Sequence, residues 1–248
     1  MTSDIDMVSR EWRMIDVDMS ASSQPEGIVR SKALSLRVKM LVGLMRAGAK
    51  LGTARLGGLV LKTQVDGCNP APLPGLSFEP LFLAGVEDLQ VGQRVLDMGT
   101  GCGVWALLAS RTGAQVTASD LPGISLTIVT QNAKRNGVPV PQLTSGDLFE
   151  SLDGQRFDRI LFNPPFHVGQ KTRPSDAAYM GGADGGVVRR FLRTVSAHLE
   201  PAGTVCIILP TIELKQYANA FDGFEVRVRT EQWVPILGRV YLLELRPK

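Results

Sequence analysis

From residue 76 onward, short apolar runs alternate with longer stretches in which apolar residues recur at helical spacing. Short apolar runs bounded by turn residues predict buried strands, and helical spacing predicts helices that pack on them. Such alternation predicts an α/β domain built on a mainly parallel sheet. The predicted strands are 95–97, 115–120, 140–144, 160–162, 205–209, 224–228 and 239–245, and the predicted helices are 76–89, 104–109, 124–136 and 187–199.

The first 75 residues follow a different pattern. Residues 1–26 are polar, with six acidic and two basic residues, and we predict a mobile acidic arm. Residues 28–51 place apolar side chains between cations and predict one or two helices, and the glycines and prolines of 67–75 predict a linker. We therefore divide the chain into the arm, a basic helical segment with a Pro-rich linker (27–75) and the main α/β domain (76–248).

The basic segment supports two hypotheses. Residues 27–65 hold eight basic residues and no acidic one, within a chain of net charge +3. A basic face of this kind can contact RNA phosphates or close over a substrate cleft. Alternatively, the cations are a solvated helix face whose apolar side packs on the main domain or on a second subunit, which would give a homodimer.

Composition narrows the class of protein. A chain of 248 residues can bury the core of one α/β domain. The three cysteines lack metal-ligand spacing, so we expect reduced thiols and no metal. No apolar run approaches the ~20 residues that cross a bilayer, and the acidic start differs from a secretory or mitochondrial leader. We expect a cytoplasmic protein that does not contact membranes.

The first predicted strand leads directly into a turn rich in glycine, Leu96-Asp97-Met98-Gly99-Thr100-Gly101-Cys102-Gly103. Glycines at every second position allow a tight backbone turn that side chains would obstruct. Nicotinamide-binding turns follow G-x-G-x-x-G, whereas the third glycine here comes one residue early. This spacing favours a cofactor-binding turn of another kind.

The turn resembles the first motif of class I S-adenosylmethionine (SAM) methyltransferases. The resemblance implies that SAM is the cofactor, with S-adenosylhomocysteine (SAH) as its product, and that Asp97 helps to hold the SAM ammonium group. The residues that it implies beside the amino-acid portion of SAM are Met98, Gly99, Thr100, Gly101 and Gly103. The alternative is a strand-turn-helix corner of some other α/β protein.

Asp120 ends the second predicted strand, 23 residues after Asp97, and Leu121 follows it. An acid at the carboxyl end of the neighbouring strand lies across the crevice at the switch point of the sheet. There it can accept hydrogen bonds from both ribose hydroxyls, so we predict that Asp120, with Leu121 beside it, binds SAM. The alternative is that Asp120 caps the following helix.

Asp147 and Leu148 follow the third predicted strand. In the family that the chain resembles, this turn reaches the adenine ring, and its acid accepts a hydrogen bond from the adenine amino group. The resemblance therefore implies that Asp147 and Leu148 contact the adenine. The alternative is an ordinary loop acid, because Gly-Asp is common in turns.

The fourth predicted strand delivers Asn163-Pro164-Pro165-Phe166 to the carboxyl edge of the sheet, 66 residues after Asp97. Two consecutive prolines fix the direction of the backbone, so the Pro164 carbonyl and the Asn163 side-chain oxygen can point at one substrate group. Two acceptors select an NH2 donor, and Phe166 offers a flat apolar wall for a planar group. The pattern predicts a site for a planar amine or amide.

This run resembles the Asn-Pro-Pro-aromatic motif of methyltransferases that act on exocyclic amines of adenine or guanine and on the glutamine amide of release factors. The next residue, His167, resembles a variant found in ribosomal-RNA guanine enzymes, where a base and a loop hydrogen-bonder are both open roles. The implied catalytic residues are Asn163, Pro164, Pro165, Phe166 and His167. The implied fold is Rossmann-like: a seven-stranded, mostly parallel sheet with one reversed strand and helices on both faces.

The methyl acceptor stays open between an RNA base, a protein glutamine and a small-molecule metabolite methylated on N, C or O. A different class of hypothesis is a non-catalytic SAM-binding protein or a nicotinamide-binding Rossmann protein. The intact motif at 163–166 argues against the first, and the glycine spacing at 99–103 argues against the second.

Overall fold

A computed structural model describes residues 52–63, 78–122, 126–166, 181–182, 185–211, 214, 217–234 and 237–248 of the chain. The strands are β1 Thr53–Leu56, β2 Leu59–Lys62, β3 Arg94–Met98, β4 Gln115–Asp120, β5 Gln142–Ser145, β6 Phe157–Phe162, β7 Leu199–Pro210, β8 Phe224–Val234 and β9 Gly238–Pro247. The α-helices are α1 Glu79–Ala84, α2 Val104–Arg111, α3 Thr127–Arg135 and α4 Gly186–Thr194, and single 3-10 turns span Val195–His198 and Ala218–Phe221. The predicted arm and the predicted helices of 28–51 lie outside the described residues.

Seven strands form one sheet in the order β5-β4-β3-β6-β7-β9-β8. The four pairs of neighbouring strands among β3 to β7 are parallel, and β9 runs antiparallel to both β7 and β8. The mostly parallel seven-stranded sheet with one reversed strand is thereby confirmed. Because the chain moves outward from β3 through β4 to β5 and then returns to the other side of β3, the switch point lies between β3 and β6.

The core lies along the central strands and the helices that cover them. The inner residues of β3, β6 and β7 are buried on both faces, as parallel strands between two helical layers must be. Helix α2 buries every residue from Val104 to Ser110, so it is enclosed rather than amphipathic. Trp105 anchors it, because the indole nitrogen donates to the Phe82 carbonyl at 2.9 Å and the two rings pack edge to face. Phe82 is therefore a core residue.

Strand boundaries depart most from the sequence pattern at the outer half of the sheet. Strand β8 continues to Val234, six residues beyond the predicted end, through a polar stretch with a register shift between Val228 and Thr230. An outermost strand can carry polar residues because one of its edges has no sheet neighbour. Helix α1 is shorter than predicted and ends at Ala84, and the chain from Gly85 forms turns before β3.

A β-hairpin of β1 and β2 lies within the 27–75 segment, where only helices and a linker were predicted. Gly57 and Gly58 form its two-residue turn with φ of +55° and +74°, the left-handed pair that tight hairpins require. The hairpin buries Leu56, Leu59 and Leu61. Val60 and Lys62 of the hairpin bond to side chains of helix α3, and the division of the chain at residue 76 stays a prediction.

No helix in the described part of the chain combines the length and apolar composition needed to span a membrane.

Candidate functional site

Three neighbouring strands end at the same level on the carboxyl edge of the sheet. The parallel register pairs Met98 of β3 with Ser119 of β4 on one side and with Phe162 of β6 on the other. The next residues, Asp120, Gly99 and Asn163, therefore stand side by side across the switch point. Adjacent strands are about 4.8 Å apart, so one small molecule can touch all three. The topology brings together the residues that the sequence motifs had singled out separately.

The glycine turn is tightly packed. Gly103 has a φ of +90°, and a Cβ atom there would lie 3.0 Å from Cγ1 of Val129. Gly99 has a φ of +64° and lies directly over the Phe162 ring. The Thr100 amide donates to the carbonyl of Ser119 at 2.9 Å, which ties the turn to the end of β4. These contacts explain why the turn carries glycines at these positions.

Asp97 lies at the bottom of the turn and is 3% exposed. Its Oδ2 accepts hydrogen bonds from the Thr100 hydroxyl at 2.7 Å and from the Ala106 amide at 2.8 Å. Burial raises the pKa of Asp97 to about 7, although these hydrogen bonds oppose the shift. No cation of the described chain pairs with it. The carboxylate can therefore gain a great deal from a ligand that carries a positive charge.

Asp120 joins the end of β4 to the same turn. Its Oδ2 accepts from the Gly101 amide and its Oδ1 accepts from the Leu121 amide, both at 2.8 Å. Burial raises its pKa, and the two backbone hydrogen bonds act against that shift. Each carboxylate oxygen retains acceptor capacity for a further donor. The bond to Leu121 is local, while the bond to Gly101 crosses to the neighbouring strand. Helix α3 begins at Thr127 with Leu126 at its N-cap, so Asp120 does not cap this helix.

Asp147 forms a two-pronged ion pair with Arg190 of α4. Guanidinium nitrogens of Arg190 lie 2.8 and 3.1 Å from its two carboxylate oxygens. The residue after it, Leu148, has a φ of +54°, which is unusual for a side chain of this size. The turn therefore holds a strained backbone next to an acid whose oxygens already have a partner. Sequence patterns did not predict the part played by Arg190.

The motif at 163–166 follows β6 without regular secondary structure. Asn163 Oδ1 is buried and accepts no hydrogen bond within the part of the chain that the structure describes. Pro164 and Phe166 are buried beside it, while Pro165 is half-buried. A buried carbonyl oxygen without a partner is costly, and such an atom at a strand end points to a ligand that would donate to it.

Tyr217 contacts the motif at 163–166, and this contact was not predicted from the sequence. Its side chain is fully buried, and its hydroxyl donates to the Phe166 carbonyl at 3.3 Å. The ring packs on Gly185, where a Cβ atom would lie only 2.4 Å from the Tyr217 hydroxyl oxygen. Gly185 belongs to a glycine-rich run visible in the sequence, whereas Tyr217 has no signal there because its partners are far away in the chain.

Four aromatic rings pack together at the end of β6 and the turn after β5. Phe162 contacts Phe191 with ring centroids 4.5 Å apart, and Phe149 stacks on Phe191 at 5.6 Å and on His198 at 4.2 Å. The cluster joins the end of β6, the turn after β5 and the helix α4. It was not predicted from the sequence, because its members come from separate elements.

Some predicted features cannot be placed. His167 and the loop that follows it lie outside the described residues. Within the described ranges, no three His, Cys, Asp or Glu side chains cluster as a metal site would require, and the expectation of a metal-free reaction stays a prediction. The residues that are described fit a ligand with a cationic group, hydroxyl donors and an NH2 group, since they offer two buried carboxylates and one orphaned acceptor around a glycine cradle.

Comparison with known proteins identifies the family to which the chain is similar. Residues 81–234 match the family model described as "Methyltransferase small domain". The release factor glutamine methyltransferase of Xylella fastidiosa (strain 9a5c) is 35% identical over 211 residues, which are 78% of this chain and 72% of that protein. The ribosomal RNA small subunit methyltransferase C of Alcanivorax borkumensis is 31% identical over 62% of this chain, and the match spans only 44% of that longer protein.

Solved structures share the fold. The 16S rRNA N2 G1207 methyltransferase of Thermus thermophilus, solved with AdoMet and guanosine, superposes with a TM-score of 0.53 at 23% identity, over 79% of this chain and 50% of that one. A methyltransferase from Pyrococcus furiosus superposes with a TM-score of 0.56 at 21% identity, over 86% of this chain and all of that one. At these identities the likeness concerns the fold alone.

Proposed function

The chain belongs to the methyltransferase small-domain family and takes SAM as its methyl donor, and we propose that it methylates the nitrogen of a planar amine or amide. The proposed acceptors are the exocyclic amine of an RNA base or the side-chain amide of a protein glutamine. The names of the relatives include both kinds of substrate. The match covers less than half of the ribosomal RNA enzyme, so the proposal for the methyl acceptor rests on the geometry of the site.

One observation carries this proposal, the buried and unpartnered Oδ1 of Asn163. An acceptor left without a donor costs about 1–3 kcal/mol, which a folded protein retains where a ligand supplies the donor. The carbonyl of the adjacent Pro164 can serve as a second hydrogen-bond acceptor. Because Pro164 has no amide hydrogen, its backbone cannot donate to Asn163 Oδ1 in place of the substrate. Two acceptors together would hold both hydrogens of an NH2 group and leave the nitrogen lone pair in a fixed direction.

The proposed reaction requires mainly that the amine nitrogen be held in the right position relative to the methyl group of SAM. Bound SAM supplies an electrophilic methyl group on its sulfonium. The oxygens of Asn163 and Pro164 orient the amine and stabilise the positive charge that develops on its nitrogen. Phe166 excludes water and offers a flat wall to the ring or amide that carries the nitrogen. As the nitrogen takes the methyl group, SAH is the leaving group, and the proton of the methylated nitrogen passes to solvent.

For the cofactor, we assign each carboxylate a separate part of SAM. Asp97 would hold the ammonium, because it is a buried acid without a cation partner. Asp120 and Leu121 would face the ribose, and the turn of Asp147 and Leu148 would contact the adenine. Met98 and Thr100, both buried, would line the amino-acid portion with the three glycines.

We also infer a cytoplasmic location, since the buried Cys206 is a thiol that forms no disulfide. The basic segment of residues 27–65 is proposed to meet RNA phosphates if the acceptor is RNA. Methylation of RNA would then weaken steeply as salt rises, whereas a flat salt dependence would favour the glutamine acceptor. Homodimer formation through the N-terminal segment also stays a prediction.

Replacement of Asn163 by alanine tests the proposal. Loss of one preorganised acceptor should cost about 3 kcal/mol in the transition state, a drop of roughly a hundredfold in turnover. Transfer of labelled methyl groups from SAM would be measured on total RNA, on a glutamine peptide from a release factor and on a metabolite extract. The matched control is Phe166→Ala, which should raise the acceptor concentration needed more than it lowers turnover.

Asn163→Ala with wild-type turnover would contradict the proposal. That result would favour methylation of carbon or oxygen in a metabolite held elsewhere in the cleft. A protein that binds SAM but methylates none of the three substrate pools would instead support a non-catalytic SAM-binding role.

A further inference from the structure

A single buried side chain, Asn132 of α3, links the β-hairpin to the glycine turn. Its Oδ1 accepts from the Lys62 amide at 2.7 Å. Its Nδ2 donates to the Lys62 carbonyl and to the Cys102 carbonyl, both at 2.9 Å. Asn132 has no exposed surface, so water cannot replace these bonds. All three strong hydrogen bonds of the amide therefore join two segments that are far apart in the sequence.

Asn136, one helical turn later, binds the hairpin in the same way but leaves the glycine turn untouched. Its side chain accepts from the Val60 amide at 2.8 Å and donates to the Val60 carbonyl at 2.9 Å. Residues four apart on a helix are spaced about as far as alternate residues on a strand, so the two amides imitate a further strand beside β2. The second donor of Asn136 goes to the carbonyl of Asn132 instead.

We propose that Asn132 is a positioning residue for the SAM site, and that docking of the hairpin and binding of SAM are coupled through it. The inference rests on the proposed role of the glycine turn in binding SAM. Cys102 lies between Gly101 and Gly103, both at positive φ, and the Gly103 amide donates to the Thr100 carbonyl at 2.8 Å, which holds one side of the Cys102–Gly103 peptide. A hydrogen bond to the Cys102 carbonyl fixes the direction of this peptide.

The hairpin in turn fixes Asn132. With the hairpin docked, the amide plane is held by the two polar groups of Lys62, and the remaining Nδ2 hydrogen can point only at Cys102. If the hairpin leaves, the amide of Asn132 loses two of its three partners, and the turn loses an oriented donor. Coupling is reciprocal, so a ligand that binds the ordered turn must strengthen docking of the hairpin by the same factor.

Two alanine variants of the full chain separate this role from simple stabilisation. Asn132→Ala and Asn136→Ala each remove two hydrogen bonds to the hairpin, so both should lower the melting temperature. Only Asn132→Ala removes the bond to Cys102. We expect its dissociation constant for SAH, measured by calorimetry, to rise about tenfold, with less than a twofold change for Asn136→Ala. A wild-type dissociation constant in Asn132→Ala would overturn the proposal. An equal rise in the two variants would overturn the specific role of Asn132, because Asn136→Ala keeps the bond to Cys102.

Hydrogen exchange tests the reciprocal effect and does not depend on the variants folding well. In the wild-type chain, SAH should slow amide exchange at Val60 and Lys62, whose hydrogens are held by the two asparagine side chains. An unchanged rate at both amides in the presence of bound SAH would overturn the inference. A wild-type chain that binds no SAH would instead remove the proposed cofactor role, which calorimetry alone would show.

Discussion

Carboxylates in two regions of this molecule have opposite surroundings. At the carboxyl edge of β3 and β4, the hydrogen bonds that Asp97 and Asp120 accept within the described ranges all come from neutral donors. At the outer half of the sheet, Asp88 and Glu244 face the arginines Arg159, Arg229 and Arg246. The same residue type is thus left without a cation in one place and surrounded by cations in the other.

The pKa values follow this difference. Burial raises the pKa of both Asp97 and Asp120. Burial alone would also raise the pKa of Asp88, but its hydrogen bonds to Arg159 and Arg229 and their charges lower it well below the ordinary value. An acid with its own arginines has a complete local structure. An acid that is buried without a cation stores unfavourable free energy that a cationic ligand can relieve, which supports the proposal that SAM binds at the β3–β4 edge.

The ion-paired region should respond to mutation through stability alone. Arg229 is nearly buried and contacts Glu244 at 2.8 Å, so Arg229→Met leaves a buried carboxylate poorly compensated. We expect a loss of about 3 kcal/mol in the free energy of unfolding, the low end for a broken buried pair, because Arg246 remains. The measurement is urea unfolding, with SAH affinity as the companion assay.

A second substitution sharpens that result. Arg229→Met combined with Glu244→Leu removes both charges and should recover most of the lost stability, since a buried pair can be replaced by apolar groups at little cost. A marked loss of SAH affinity in the single variant, at a temperature where it is folded, would show that the two regions are not separate in function.

The unpaired region should respond in the opposite sense. Asp97→Asn keeps an oxygen for the Thr100 and Ala106 donors but removes the charge, so SAH affinity should fall by about 2 kcal/mol. The free protein should unfold no more easily than wild type at pH 8, because the buried negative charge is gone. Calorimetry and thermal unfolding on the same samples would measure both effects, and Asp97→Asn with unchanged SAH affinity would end the ammonium assignment.

The pH dependence of the wild-type chain checks the same assignment. The folded pKa of Asp97, about 7, lies above the ordinary value of 3.8, so the stability contributed by this group is full below about pH 4 and is lost as pH rises towards 7. Binding of a cation requires the ionised form. The SAH dissociation constant should therefore rise as pH falls below 7, by up to roughly tenfold for each pH unit, and this rise should be absent in Asp97→Asn.

The smallest effect is expected at the ion pair of Arg190 and Asp147. Both side chains are partly exposed, at 45% and 35%, so solvent screens the pair. Arg190→Gln should lower the free energy of unfolding by less than about 1 kcal/mol. If Asp147 contacts the adenine, release from Arg190 should leave SAH affinity unchanged or slightly improved. A tenfold loss would instead mean that Arg190 orients Asp147 for the cofactor.

Local patterns in the chain were sufficient for much of the architecture. The alternation of short apolar runs with helical stretches predicted the seven strands, and the bounds of β4 agree with the structure to the residue. Together with the motifs at 96–103 and 163–166, this predicted the fold, the methyl donor and the family. Such information is local, because strand and turn preferences depend on neighbours within a few residues.

Tertiary structure decided what depends on distant partners. The hairpin of 53–62 was missed because its strands are only four residues long and are stabilised by Asn132 and Asn136, about seventy residues away. Tyr217, which contacts the motif at 163–166, and Arg190, which pairs with Asp147, had no sequence signal for the same reason. The contrast between paired and unpaired carboxylates was also invisible in the sequence, since burial and the approach of an arginine are set only when the strands have assembled.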